Sequence, residues 1–64
     1  MCLATVYGRK QEEESILIRN ASRIDVEGTA IRIRDIMGAE IVVEGAITMV
    51  DLANSVVKIN CSED

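Results

Sequence analysis

The feature that most constrains the fold is the alternation of apolar β-branched residues with polar residues along most of the chain. Ala30–Ile36 shows it most clearly, because Ile31 and Ile33 fall on one face and Arg32 and Arg34 on the other. A period of two is typical of a strand with one buried face. Nine isoleucines and seven valines among 64 residues strengthen the pattern, since both prefer a pleated surface. Most of the chain is therefore predicted to be β-strand.

Turn residues divide the alternating segments into six or seven short strands. These strands are predicted over Leu3–Arg9, Ser15–Arg19, Arg23–Glu27, Ala30–Ile36, Glu40–Glu44, Ile47–Leu52 and Val56–Cys61. The charged run Arg9–Ser15 is expected to be a hairpin loop, and Gly45 is expected to separate two strands. In the third predicted strand, Ile24 and Val26 are expected to point inward.

Strands of this length and spacing indicate a sandwich or a barrel. A six-stranded sheet with one apolar face cannot bury that face while flat, whereas closure into a barrel buries it and removes most unpaired edges. We therefore predict an all-β fold, a small antiparallel barrel of the SH3-like or Sm-like kind. A helix over Ile47–Val57 is the alternative for that segment, although Thr48, Val50 and Val56 favour a strand.

The length of 64 residues allows one domain, which we predict to span residues 1–64. A core of this size rarely supplies more than about 3–5 kcal/mol of stability, so small domains often gain from self-association. A homodimer is therefore expected.

The charge balance argues against several classes of partner. Seven basic and eleven acidic side chains give a net charge of −4, which repels phosphate backbones, and one tyrosine offers little stacking surface for bases. No apolar run approaches the roughly 18 residues that span a bilayer, and the first residues do not resemble a secretory signal. Arg32 and Arg34 are expected to pair with acidic side chains on neighbouring strands rather than to bind a free anion. We predict no nucleic-acid or membrane partner and a cytoplasmic location.

Little in the sequence suggests catalysis. The chain has no histidine, the usual general base near neutral pH, and its four isolated glycines lack the spacing of a phosphate-binding loop. Cys2 and Cys61 lie near opposite ends of the chain, and one pair is sparse for a disulfide scaffold, so an intramolecular disulfide is not expected. We predict that the protein is not an enzyme.

Cys2 is the residue whose position suggests metal chemistry. The initiator methionine is normally removed when the next side chain is small, and removal would leave Cys2 with a free α-amine beside its own thiolate. Sulfur and nitrogen from one residue close a five-membered chelate ring on a metal, which displaces a proton from each. Two chains would supply four N and S donors, a set that suits square-planar Ni(II), with Cu(II) as the competitor. The alternative is a small apolar cysteine that leads into the first strand.

The opening residues also resemble those of a known family. Met1-Cys2-Leu3-Ala4-Thr5 followed by Tyr7 is similar to the start of the CooT family, small nickel-binding proteins that begin Met-Cys-x-Ala-Thr-Ala-Tyr. The resemblance continues through an I-x-V-x-G turn at 24–28, an I-x-x-I-D-L-like segment at 47–52 and an apolar strand at 56–59. It covers the chain up to about Asn60, and Val6 in place of alanine is a small departure.

The resemblance implies a function. Members of the family are associated with nickel delivery to carbon monoxide dehydrogenase, and they resemble homodimers that hold one metal at the subunit interface. By this resemblance Cys2 is a ligand of Ni(II), and the backbone amide of Leu3 is a candidate further nitrogen donor. The implied function is that of a nickel metallochaperone or nickel-storage protein whose client is carbon monoxide dehydrogenase.

Two alternatives remain open from the sequence. Hydrogenase-maturation chaperones of the HypC type also begin with Met-Cys and form small barrels, but their typical Cys-x-x-x-Pro start is missing from a chain without proline. An Sm-like or SH3-like barrel could instead bind RNA or protein, although the acidity and the lack of aromatic residues do not favour RNA.

Overall fold

The computed structural model describes residues 2–62, so Met1, whose removal is expected above, and residues 63–64 lie outside the described residues. Five strands form a closed barrel in the order β1-β2-β3-β4-β5. Their bounds are β1 Ala4–Lys10, β2 Glu13–Glu27, β3 Ala30–Asp35, β4 Glu40–Asp51 and β5 Val56–Cys61. The prediction of an all-β barrel is confirmed. Within residues 2–62 the segment 47–57 contains no helix, and the alternative for it is wrong.

The predicted number of six or seven strands is wrong because two long strands each take the place of two predicted ones. β2 runs through the predicted break after Arg19, and β4 runs through Gly45. Both positions are places where a strand bends and changes its neighbour. Asn20 adopts a left-handed φ of 59° beside Ala21, which pairs with both Ala4 of β1 and Asp35 of β3. One strand can thereby belong to both sides of the barrel.

β4 changes neighbour at Gly45. Glu44 pairs with Ala30 of β3, whereas Gly45 pairs with Cys61 of β5. A Cβ atom at Gly45 would overlap the carbonyl oxygen of Asn60 and lie 2.9 Å from the Cα atom of Cys61. The glycine is therefore required by the close approach of the two backbones at the bend.

The first hairpin is tighter than predicted. The expected loop Arg9–Ser15 is reduced to Gln11 and Glu12, because β1 extends to Lys10 and β2 begins at Glu13. Gln11 has a φ of 58°, as a two-residue hairpin turn requires. The charged residues on either side of the turn pair across the strands, so their polarity marks exposure and not the end of the sheet.

The barrel closes through a parallel pair, which departs from the predicted fully antiparallel arrangement. β1 and β5 run in the same direction, from Thr5 beside Val56 to Arg9 beside Asn60. In an up-and-down barrel with an odd number of strands, the first and last strands point the same way, and their closing ladder is parallel. The other four ladders are antiparallel.

The core is a small cluster of aliphatic side chains inside the barrel. Its buried members are Val6, Ala21, Ile31, Ile33, Val57 and Ile59. The predicted burial of Ile31 and Ile33 is confirmed, since neither side chain is exposed to solvent. Ile24 is half-buried against this core, whereas the predicted burial of Val26 is wrong: it is 56% exposed. Val26 pairs with Ile31 on the inner face, but it lies in a groove where the barrel is open to solvent.

Candidate metal-binding terminus

Cys2 and Leu3, the two predicted metal-site residues, precede β1 and lie outside the barrel wall. Cys2 is exposed to solvent, and Leu3 is half-buried. Two contacts fix the point from which they leave the barrel. Ala4 pairs with Ala21 at the bend of β2, and the backbone amide of Thr5 donates a 2.9 Å hydrogen bond to the carbonyl oxygen of Ser55. The terminus therefore starts between the bend of β2 and the turn that leads into β5.

That turn, between β4 and β5, is held by the carboxylate of Asp51. One oxygen, Oδ1, accepts a hydrogen bond from the Asn54 backbone amide at 3.1 Å, and Oδ2 accepts one from the Asn54 side-chain amide at 2.9 Å. The pKa of Asp51 is lowered below its ordinary value of 3.8, mainly by the hydrogen bond from the Asn54 side chain and next by the one from the Asn54 backbone. Ser55, the next residue, has a left-handed φ of 57°. The turn that receives the amide of Thr5 is thus organised by one carboxylate.

The donors that one chain offers at this terminus are few. Cys2 supplies a sulfur, and the backbone nitrogen of Leu3 follows it directly in the chain. Among the described residues there is no group of three or more Cys, His, Asp or Glu side chains that could hold a metal ion. Thiolate sulfur with backbone or terminal nitrogen fits a metal that accepts square-planar N and S coordination, and two chains would be needed to complete four donors.

Cys61 lies at the other end of the barrel. It pairs with Gly45 and follows Asn60, which lies beside Arg9 near the end of β1. Since β1 and β5 are parallel and Thr5 lies beside Val56, Cys61 is about 17 Å along the strands from the level of Thr5, at about 3.3 Å per residue, and Cys2 precedes Thr5. Both thiols are free, and the structure does not bring Cys61 to the terminus.

An apolar groove of about 340 Å³ opens at the end of the barrel where the terminus begins. It runs from Ala21, the partner of Ala4, to the second half of β4. Three apolar side chains in it are largely exposed: Val26 at 56%, Val50 at 54% and Leu52 at 79%. Burial of such side chains against a partner is favourable, and the groove reaches Ala21, beside which the terminus leaves the barrel.

The basic pair on β3 is engaged by carboxylates, as predicted. Arg32 lies 3.4 Å from Glu40 and 3.8 Å from Glu27, and Arg34 lies 3.7 Å from Glu40. All four side chains are substantially exposed, so these ion pairs contribute little to stability. They do, however, pair both guanidinium groups with carboxylates, which argues against an anion site on this face.

The structural role of the β4–β5 turn is what the sequence interpretation missed. In the sequence Asp51 belongs to the I-x-x-I-D-L-like segment at 47–52, and the resemblance implies no role for Asn54 or Ser55. The signal was present in the sequence as Asp51 followed three residues later by Asn54, a pairing typical of turns in which a carboxylate accepts from the backbone. What could not be predicted was that this turn faces the start of β1.

Comparisons with known proteins agree with the resemblance seen in the sequence. The family model described as "CO dehydrogenase accessory protein CooT" matches residues 1–60. A crystal structure of a protein assigned to CooT from Carboxydothermus hydrogenoformans superposes with a TM-score of 0.85 at 13% sequence identity, covering 97% of this chain and 100% of that chain. At this identity the superposition shows the shared fold alone. No match is found among curated proteins, and the secondary structure of residues 2–62 includes no helix that could span a bilayer. Because the family model spans nearly the entire chain, this protein belongs to the CooT family of CO dehydrogenase accessory proteins.

Proposed function

We propose that this protein is a nickel metallochaperone or nickel-storage protein that binds Ni(II) through Cys2 in a homodimer and serves the maturation of carbon monoxide dehydrogenase. The observation that supports the proposal best is the exposed thiol of Cys2, placed just before β1 and inside the segment matched by the accessory-protein family. A thiol that is exposed, and not packed into the core, is accessible to a metal ion. This position argues against the alternative of an apolar cysteine that merely begins a strand.

The donor set follows from the chemistry of the terminus. Each chain would contribute the sulfur of Cys2 and one nitrogen, either the α-amine freed by removal of Met1 or the backbone amide of Leu3. Two chains then give four donors in one plane, which suits Ni(II), and Cu(II) would compete for the same set. The ligands must lose protons to bind, so metal affinity rises with pH.

The dimer is supported by the surface next to the terminus. A two-fold axis brings identical residues face to face, so two copies of Cys2 can meet only if the surface beside them is also part of the interface. The groove around Val26, Val50 and Leu52 offers exposed apolar area at that place. A second copy that covers this groove would bury those side chains and bring the two termini together.

The proposed role requires binding and release of cargo and no catalysis by this chain. The family is described as an accessory to carbon monoxide dehydrogenase, which is the enzyme of the pair. A reducing compartment such as the cytoplasm, predicted from the sequence, would keep the thiols of Cys2 and Cys61 free for this purpose.

A nickel titration of matched cysteine variants tests the proposal. Native protein should develop thiolate-to-nickel charge-transfer absorption that saturates at one Ni(II) per two chains. Cys2→Ser should abolish the absorption, and Cys61→Ser, which removes the other thiol at the far end of the barrel, should leave it unchanged. An uncleaved amino-terminal tag should weaken binding if the α-amine is a donor. Retained binding in Cys2→Ser, or its loss in Cys61→Ser, would overturn the assignment.

A further inference from the structure

The carboxylate of Asp51 is connected to the start of β1 by a short series of hydrogen bonds. Both of its oxygens accept hydrogen bonds from Asn54, one from the backbone amide and one from the side chain. The carboxylate thus fixes both the backbone and the side chain of a single turn residue. Asp51 itself is held in the sheet, because it pairs with Val56 across the β4–β5 ladder.

Ser55, the residue after Asn54, connects this turn to the start of β1. Ser55 adopts a φ of 57°, a left-handed conformation that is uncommon for a residue with a side chain and persists where the surroundings determine it. In this conformation the carbonyl oxygen of Ser55 accepts the 2.9 Å hydrogen bond from the amide of Thr5. Only Leu3 and Ala4 then separate this anchor from Cys2.

We propose that Asp51 is a positioning residue for Cys2: by fixing Asn54 and Ser55, its carboxylate sets the direction in which Leu3 and Cys2 leave the barrel. Without the carboxylate, Ser55 can leave its left-handed conformation, and the amide of Thr5 loses its acceptor. The terminus then samples many directions, and two thiols across a dimer axis meet less often in the geometry that a metal requires. The consequence for nickel rests on the proposed function, whereas the ordering of the terminus does not.

Asp35 provides a matched control within the same chain. Its Oδ1 accepts hydrogen bonds from the backbone amides of Met37 and Ala39, each at 2.9 Å, and so caps the turn between β3 and β4. Asp35 and Asp51 therefore each hold a hairpin turn by accepting hydrogen bonds from its residues. The turn capped by Asp35 bonds to Asn20 of β2, through the amide of Ile36, and the turn held by Asp51 bonds to Thr5 of β1.

The ordering of the terminus can be measured without metal. In a Cys61→Ser background, a nitroxide label on Cys2 reports the mobility of the terminus by electron paramagnetic resonance. Asp51→Ala should narrow the spectrum to that of a mobile label, and Asp51→Asn, which keeps one carbonyl oxygen for the Asn54 amide, should give an intermediate spectrum. Asp35→Ala should give the same spectrum as the Cys61→Ser parent. Circular dichroism confirms that each variant is folded, and Asn54→Ala replaces Asp51→Ala if the latter does not fold.

The same variants, unlabelled, connect the terminus to the metal. We expect Asp51→Ala to weaken Ni(II) binding about tenfold, the lower end of the effect of residues that orient metal ligands, and Asp35→Ala to change it less than twofold. Label mobility in Asp51→Ala equal to that of the Cys61→Ser parent would overturn the positioning role. Failure of the parent to bind nickel would instead overturn the proposed function, and the label spectra would still decide the role of Asp51.

Discussion

The backbone of Gly45 packs directly against the carbonyl group of Asn60, leaving no space for a side chain between β4 and β5. This contact lies at the bend where β4 leaves β3 and joins β5, so a single close approach permits one strand to serve two sides of the barrel.

Gly45→Ala should destabilise the protein by about 3 kcal/mol, the upper end of the cost of overpacking, because the atoms in the way belong to backbone that is fixed in a ladder. A loss of that size is comparable to the whole stability expected of so small a core. Urea denaturation followed by circular dichroism measures it.

Gly28→Ala is the control for this prediction. Gly28 also has a positive φ, of 63°, but nothing lies within 4 Å of a Cβ atom there. Its substitution should therefore cost only the backbone strain of a left-handed residue, about 1–2 kcal/mol. Equal losses for the two variants would show that the contact with Asn60 is not the reason for the glycine.

The lowered pKa of Asp51 predicts a pH dependence of stability. The carboxylate accepts hydrogen bonds from Asn54 only in the folded state, and these hold its pKa below the ordinary value of 3.8 that applies to the unfolded chain. The stabilisation is therefore complete above about pH 5 and is lost as the pH falls through 3.8 towards the lower folded-state pKa, because in that window the unfolded chain takes up a proton that the folded protein does not. Urea denaturation of native protein and Asp51→Asn between pH 2 and pH 6 measures the difference.

Asp51→Asn has no proton to gain at that position. Its free energy of unfolding should fall less steeply than that of native protein below pH 4, and the two curves should run parallel above pH 5. Parallel curves over the entire range would mean that the hydrogen bonds to Asn54 do not stabilise the charged carboxylate.

The groove beside the terminus predicts which surface change should break a dimer. Leu52→Glu puts a charge on a side chain that is 79% exposed in the apolar groove, and burying that charge in an interface is costly. We expect native protein to sediment as a dimer at micromolar concentration and Leu52→Glu as a monomer.

Val42→Glu is the matched control, because Val42 is 58% exposed on β4 but pairs with Arg32, away from the groove. It should leave the sedimentation coefficient unchanged. A monomer in Val42→Glu together with a dimer in Leu52→Glu would locate the interface on another face.

Much of the barrel wall could be predicted because alternation reports burial directly. Ile31 and Ile33 are buried, and Arg32 and Arg34 pair with acidic neighbours, as the period of two indicates. The number of strands could not be predicted, because a glycine such as Gly45 can mark either a bend within one strand or a turn between two strands. Periodicity also shows only which face a residue is on, and Val26 lies on the inner face where the barrel is open.

The candidate metal site could also be predicted only in part. Cys2 was identified from its position and from the family resemblance, and the structure adds that it is exposed and anchored through Thr5. Nickel binding and the dimer remain predictions, since they depend on a metal ion and a second chain. The contribution of Asp51 could not be read from the sequence, because it depends on the turn before β5 lying beside the start of β1, a contact between the two ends of the chain.

The parallel closure between β1 and β5 has a consequence for the order of events during synthesis. Thr5 is anchored by Ser55 and lies beside Val56, so β1 acquires this neighbour only after β2, β3 and β4 have been translated. Contacts of such long sequence separation form late, because the intervening loop must close first. Cys2 is thus translated well before the turn at Ser55 that holds the start of β1, and a nascent chain that ends before this turn carries the thiol without the frame that would orient it toward a metal.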